Sequence, residues 1–340
     1  MQRRMFLDYA RAVGILAVVW VHVVVRMDPG FGSALSYVSV VLRTTTFLPI
    51  LFMVSGCLAR EYITQEQNSL PDCFRRYAVK ILLPFYSLNA LFFMVNVMAR
   101  PVVSGLPSAS EMAWSIITMD IGDNLPSGVL WFFFTLFLAS MTVSVWVKVI
   151  KISPWYLFLA AVVLNVFFAP SLEEYTLLSL NKYSINLCFY VFGVCMSRHI
   201  MNMQKNSKKE LGMLVGYFIF LGIYLVTEDY PWNRIYFALA AFLGTMLVLH
   251  LLFRLEDFSA LRLPRALKYI GINSIVIYTF HMPSFKIIKP VLERFHMTAS
   301  WPGLLIWTAL GVALPLAIGQ VLSRVPSAYR ILFARYPNGA

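Results

Sequence analysis

A chain of 340 residues that is 59% hydrophobic, 13% charged and of mean hydropathy +0.72 is too apolar for a water-soluble domain of that length. Its apolar residues gather in blocks of the ~17–25 residues that cross a bilayer, so the expectation is an all-α polytopic membrane protein, a bundle of about ten helices in one domain over 1–340. The net charge of +12 does not mark a nucleic-acid binder, because no basic stretch is interleaved with exposed aromatics and cytoplasmic loops of membrane proteins supply such an excess.

The first expected span, 6–27, follows Met-Gln-Arg-Arg but does not read as a signal peptide: Asp8 and Arg11 interrupt the run and no small-x-small site follows His22. Ionisable groups inside a membrane helix are costly and are functional candidates by default. Arg11 and His22 are eleven residues apart, close to three helical turns, which places them on one face ~16 Å apart along the axis. Asp8 lies three residues before Arg11, within side-chain reach. A snorkelling arginine and a hydrogen-bonded histidine would explain the pair without function. The shared face favours function, since a neutral imidazole is the natural general base near pH 7.

The second span, 38–59, holds Phe52-Met-Val-Ser55-Gly56, small residues that suit close helix packing. The polar connection that follows ends in Arg75, Arg76 and Lys80, just before the third span, 81–99, with its Pro84-Phe-Tyr86. Those cations are ordinary topogenic charge or a phosphate clamp. The connection 100–128 contains Glu111, Asp120, Asp123 and the apolar stretch 112–119, where Trp114 predicts a short interfacial helix. The fourth span, 129–149, opens on Leu130-Trp131-Phe132, which an aromatic belt explains. Spans 155–168, 185–198, 211–226 and 235–253 follow, the first of these short and the second containing Gly193. The ninth, 269–283, is also short and carries Gly271, Asn273, Ser274, Tyr278, His281 and Pro283. Ser274, Tyr278 and His281 share a face at spacings of four and three, and His281 reads first as structural glue. The tenth span is 304–322.

With the N-terminus inside, 19 basic residues fall in cytoplasmic segments and 7 in outer ones, Arg11 and Arg43 making up the 28. That asymmetry predicts cytoplasmic N- and C-termini. The four cysteines have no metal or disulfide spacing, so no metal site is expected. No internal repeat is evident, which disfavours the rival reading of a transporter or flippase of lipid-linked sugars.

In order along the chain, these motifs resemble acyltransferase family 3, the membrane acyl-CoA-dependent O-acyltransferases of bacterial surface glycans. The resemblance rests on Asp8 with Arg11-x10-His22, Phe52 to Gly56, the basic stretch into Pro84-Phe-Tyr86, Leu130-Trp131-Phe132, Phe192-Gly193, and Gly271-x-Asn273-Ser274 with Tyr278 and His281-x-Pro283. Lys80 stands where many members have arginine. The resemblance implies a multi-pass enzyme of the bacterial inner membrane, moving an acyl group, most simply acetyl, from cytoplasmic acyl-CoA to a hydroxyl of an extracytoplasmic or lipid-linked glycan. Acyl-CoA would be co-substrate, with no tightly bound cofactor. His22 and Arg11 would be catalytic, and Arg75, Arg76, Lys80 and Arg11 would take the coenzyme. Asp8, Ser55, Trp131, Asn273, Tyr278 and His281 would bind substrate or support the site. The acceptor sugar, the acyl chain length and the oligomeric state are not legible.

Overall fold

The computed structural model describes residues 4–26, 32–101, 106–120, 128–297 and 301–334, with 32–36 described by backbone alone. Met27, Asp123 and the topogenic Arg3 and Arg335 lie outside the described residues. Among the described residues there are helices and connections and no strand. In chain order the helices are α1 (Met5–Arg26), α2 (Gly32–Thr45), α3 (Leu48–Thr64), α4 (Leu70–Tyr77), α5 (Leu83–Ala99), α6 (Ala109–Thr118), α7 (Trp131–Val145), α8 (Pro154–Val163), α9 (Leu180–Met201), α10 (Ser207–Val226), α11 (Trp232–Leu255), α12 (Arg262–Ile272), α13 (Ser274–Arg294), α14 (Trp301–Leu322) and α15 (Pro326–Phe333). A π-helical turn, Ala78–Leu82, joins α4 to α5, and similar turns extend α7 and α8.

Among the described residues seven stretches are long and apolar enough to cross a membrane: Met5–Arg26, Tyr37–Thr64, Leu70–Ala99, Trp131–Ile150, Ser207–Val226, Trp232–Phe258 and Trp301–Leu322; Pro154–Phe168 is a shorter apolar helix. The remaining two expected spans fall on α9 and α13, which differ from expectation in their bounds. The sixth is longer, 22 residues. The ninth does not begin at Tyr269: the chain breaks at Asn273, and the helix that follows runs on through Pro283 and Pro290 to Arg294. Asn273 makes the break by donating Nδ2–H to the Tyr269 carbonyl at 2.9 Å, a local side-chain bond that competes with helix propagation.

The chain divides into two compact units, Met1–Cys57 with Met196–Gly319, and Leu58–Cys195 with Gln320–Ala340. In the first, α1 packs against α2, α11, α12 and α13. The contact with α12 depends on Gly271, where a Cβ would meet the Asp8 carbonyl oxygen at 1.9 Å. Three threonines end α2. Thr44, Thr45 and Thr46 donate back to carbonyls of residues 40–42, and the backbone N–H groups of Thr46 and Phe47 both use the Leu42 carbonyl. The Thr45 carbonyl then accepts from Thr245 Oγ1 of α11 at 3.1 Å. In the hairpin of α10 and α11, Tyr217, Leu221 and Ala240 form a small core.

In the second unit, α4 starts on a capping box in which the Ser69 and Asp72 side chains each bond the other's backbone N–H, with Pro71 beside it. Its inward residues are Cys73 and Tyr77. Ring contacts Phe74–Phe137 and Phe85–Phe134 hold the α4–α5 run on α7, and Tyr190 of α9 donates to Ser140 Oγ at 3.0 Å. The expected interfacial helix is α6, opened by the Ser108–Glu111 capping box. The Ser108 hydroxyl and backbone N–H hold the Glu111 carboxyl below its usual range. Met112 is fully buried while Trp114 is 66% exposed, the asymmetry an interfacial helix requires.

Candidate active site

Two imidazoles of the first unit meet around the later turns of α1. The His22 Nδ1 lies 2.8 Å from the Val18 carbonyl, one turn back. A carbonyl only accepts, so Nδ1 carries the proton and Nε2 presents the lone pair. His281, in α13, is arranged in the same way. Its Nδ1 lies 2.7 Å from the Tyr278 carbonyl and 3.2 Å from that of Ile277. Its Nε2 is buried with no hydrogen-bond partner among the described residues, and the residue is 0% exposed. The two rings touch, with centroids 5.1 Å apart and planes at 58°.

Aromatic rings wall the pair. Phe47 lies 6.5 Å from His22, and Tyr278 and Phe285 lie 5.9 and 5.6 Å from His281. Phe285 in turn meets the buried Trp307 edge-on at 5.8 Å. Two further buried polar atoms here, Ser284 Oγ and Trp307 Nε1, have no partner among the described residues. Orphaned buried donors and acceptors are rare in folded proteins and mark sites a ligand or water completes.

One cation belongs to this group. Arg26, half-buried at the end of α1, donates to the His22 carbonyl at 3.1 Å and lies 5.8 Å over the Phe285 ring. Arg43, exposed on α2, is within electrostatic reach of the His22 ring. Sequence reasoning assigned Arg26 to topology because a basic residue at a helix end is common; its i+4 spacing from His22 was the available signal.

The other expected residues are distributed. Arg11 pairs with the buried Asp8 at 3.5 Å, its own side chain 33% exposed. That pair sits near the opposite end of α1, beside the Gly271 crossing, where Glu256 also accepts from the Phe6 backbone N–H at 2.7 Å. The structure therefore does not bring Arg11 to His22. Asn273 is the joint between α12 and α13. Ser55 donates to the Leu51 carbonyl of its own helix at 2.7 Å. Tyr278 is buried beside His281. In the second unit, Arg75 and Lys80 are exposed along one run of helix, while Arg76 stacks over the Tyr62 ring at 3.9 Å. Trp131 opens α7 with Lys182 5.8 Å over its ring. No group of three metal-ligating side chains occurs among the described residues.

The helices long and apolar enough to cross a membrane define a helical integral membrane protein. The family comparison is specific: the model described as an acyltransferase domain, that of acyltransferase family 3, matches residues 5–321. The chain belongs to that family and is a membrane acyltransferase. No curated protein and no solved structure matches it.

Proposed function

We propose that this membrane acyltransferase moves an acyl group, most simply acetyl, from acyl-CoA to a hydroxyl of a glycan, with His22 as general base. The observation that carries the proposal is the His22 tautomer: with Nδ1–H committed to Val18, the lone pair of Nε2 is left to accept a proton. The acceptor oxygen attacks the thioester carbonyl carbon as its proton passes to Nε2. The tetrahedral oxyanion collapses, the C–S bond breaks, and the departing thiolate takes the proton.

Charge for the oxyanion comes best from Arg26, one turn from His22, since arginine is a strong partner for oxyanions. Arg11, ~16 Å away along the axis, is too far for that role and suits the coenzyme. Arg75, Arg76 and Lys80 are assigned the coenzyme's phosphates on the preference of arginine and lysine for phosphate. The orphaned Ser284 and Trp307 atoms suit a hydroxyl-rich acceptor. The basic asymmetry supports both termini in the cytoplasm of a bacterial inner membrane, with acyl-CoA approaching from inside. Thiol release by the purified protein from acetyl-CoA, with and without a glycan acceptor, tests the reading; absence of acceptor-dependent release across acyl-CoA chain lengths and glycan classes overturns it.

A further inference from the structure

Partial burial among apolar and aromatic side chains sets a problem for His22 as base. Once it accepts a proton it becomes an imidazolium, and a cation among Phe47, His281 and the apolar residues of α1 is poorly solvated. Arg26 and Arg43 nearby make a further positive charge less welcome still. The only neutral basic group in ring contact with His22 among the described residues is His281. Its proton is committed to backbone carbonyls at Nδ1, and its Nε2 lone pair is sealed from solvent with no donor. A buried acceptor left unsatisfied is costly, so the resting arrangement is poised for a donor.

From this geometry we infer that His22 and His281 work as one base, the proton taken from the acceptor hydroxyl being held between their Nε2 atoms until the thiolate removes it. The inference rests on the reading of His22 as general base and adds the partner that makes a half-buried imidazolium tolerable. Both rings are anchored to their own helices through Nδ1, so the far edges, which carry Nε2, project away from α1 and α13. Two imidazoles joined Nε2 to Nε2 would have centroids roughly 5 Å apart, about 1.1 Å from each centroid to nitrogen plus an N···N separation of ~2.9 Å. The observed centroid separation of 5.1 Å equals the one that bond needs, so forming it calls for ring reorientation and no change in the distance between the rings. No atom is gained or lost beyond the one proton: it leaves the hydroxyl as the new C–O bond forms, sits as N–H⁺···N, and ends on the thiol as the C–S bond breaks. His281 acts through His22 and is a positioning and proton-sharing partner, not a second nucleophile.

The test is a double-mutant cycle on the full chain in detergent or nanodiscs, read as acceptor-dependent thiol release per folded protein. His281→Leu should lower kcat by ~10²-fold and leave the acyl-CoA KM within about twofold, since it removes a group used only as charge develops. His281→Gln, whose side-chain oxygen accepts the bond from protonated His22, should recover roughly tenfold of that loss. The double variant His22→Gln/His281→Leu should be no slower than His22→Gln alone, the signature of residues acting as a unit. A structural role for His281 gives a different pattern: less folded protein and a lower Tm, with kcat per folded molecule of His281→Leu unchanged; that result overturns the inference, and so does a double variant whose loss is the product of two substantial single losses. If wild-type protein releases thiol and His22→Gln does not, while His281→Leu is fully active, the sharing alone fails. If wild type releases none, the proposed function fails with it.

Discussion

Two runs of helix in this protein carry ionisable groups next to apolar sequence, and they hold them in opposite ways. On α1 and α13 the imidazoles are tied to backbone carbonyls and packed among rings, so each has one protonation site left and little water to share it with. On α4 and the turn that follows, Arg75 and Lys80 are exposed and Arg76 rests on the Tyr62 ring. A sequestered group is tuned for proton transfer, where the local dielectric makes each interaction count. An exposed cation cluster is suited to capturing a polyanion, where attraction extends over a Debye length of ~8 Å at physiological salt and no proton need move. Under the proposed function, the difference separates chemistry from binding within one chain.

The comparison breaks most visibly at His22. Its replacement by glutamine should cut acyl transfer by ~10²–10⁴-fold, the usual cost of losing a general base, with acyl-CoA affinity retained. The cations should behave the other way. Arg76→Ala or Lys80→Ala should raise the acyl-CoA KM several-fold, solvent screening leaving only part of the ~1.5–3 kcal/mol of a charge-assisted bond, with a smaller change in kcat. Equal acyl-CoA KM in wild type and both variants would leave these residues as topogenic charge only.

The scaffold that holds the buried site can be probed without touching its chemistry. Gly271→Ala places a methyl group 1.9 Å from the Asp8 carbonyl, a backbone atom that cannot swing aside. Overpacking of this kind costs ~1–3 kcal/mol, so the variant should show a lower Tm in detergent. Gly212→Ala meets nothing within 4 Å and should be neutral or slightly stabilising. Equal thermal stability of the two variants would show that the α1–α12 crossing is looser than described. The smallest expected effect is on topology: a reporter fused after α15 should be active in the cytoplasm only, and periplasmic activity would reverse the orientation.

Much of this was legible before the fold was known. Long apolar runs announce membrane helices because the bilayer sets one length scale, and the Arg11–His22 periodicity needed only the helical repeat. The breaks at Thr44–Phe47 and Asn273 were not legible, because hydropathy does not register hydroxyls and amides that bond their own backbone. Nor was the meeting of His22 with His281, which depends on α13 packing beside α1 and has no local signature. His281 read first as glue; its Nδ1 bonds carbonyls of its own helix, and its Nε2 has no partner among the described residues. Arg26 was visible one turn from His22 but indistinguishable from the topogenic charge at many helix ends.

The most direct test of the central claim is a single-turnover measurement of acyl transfer from acyl-CoA to a glycan hydroxyl by purified wild type and His22→Gln, with the folded fraction of each determined in the same sample. Two orders of magnitude or more lost in the transfer step, at unchanged acyl-CoA binding and unchanged folding, is the predicted result. Near-normal transfer by well-folded His22→Gln would contradict it and remove the imidazole of α1 from the chemistry.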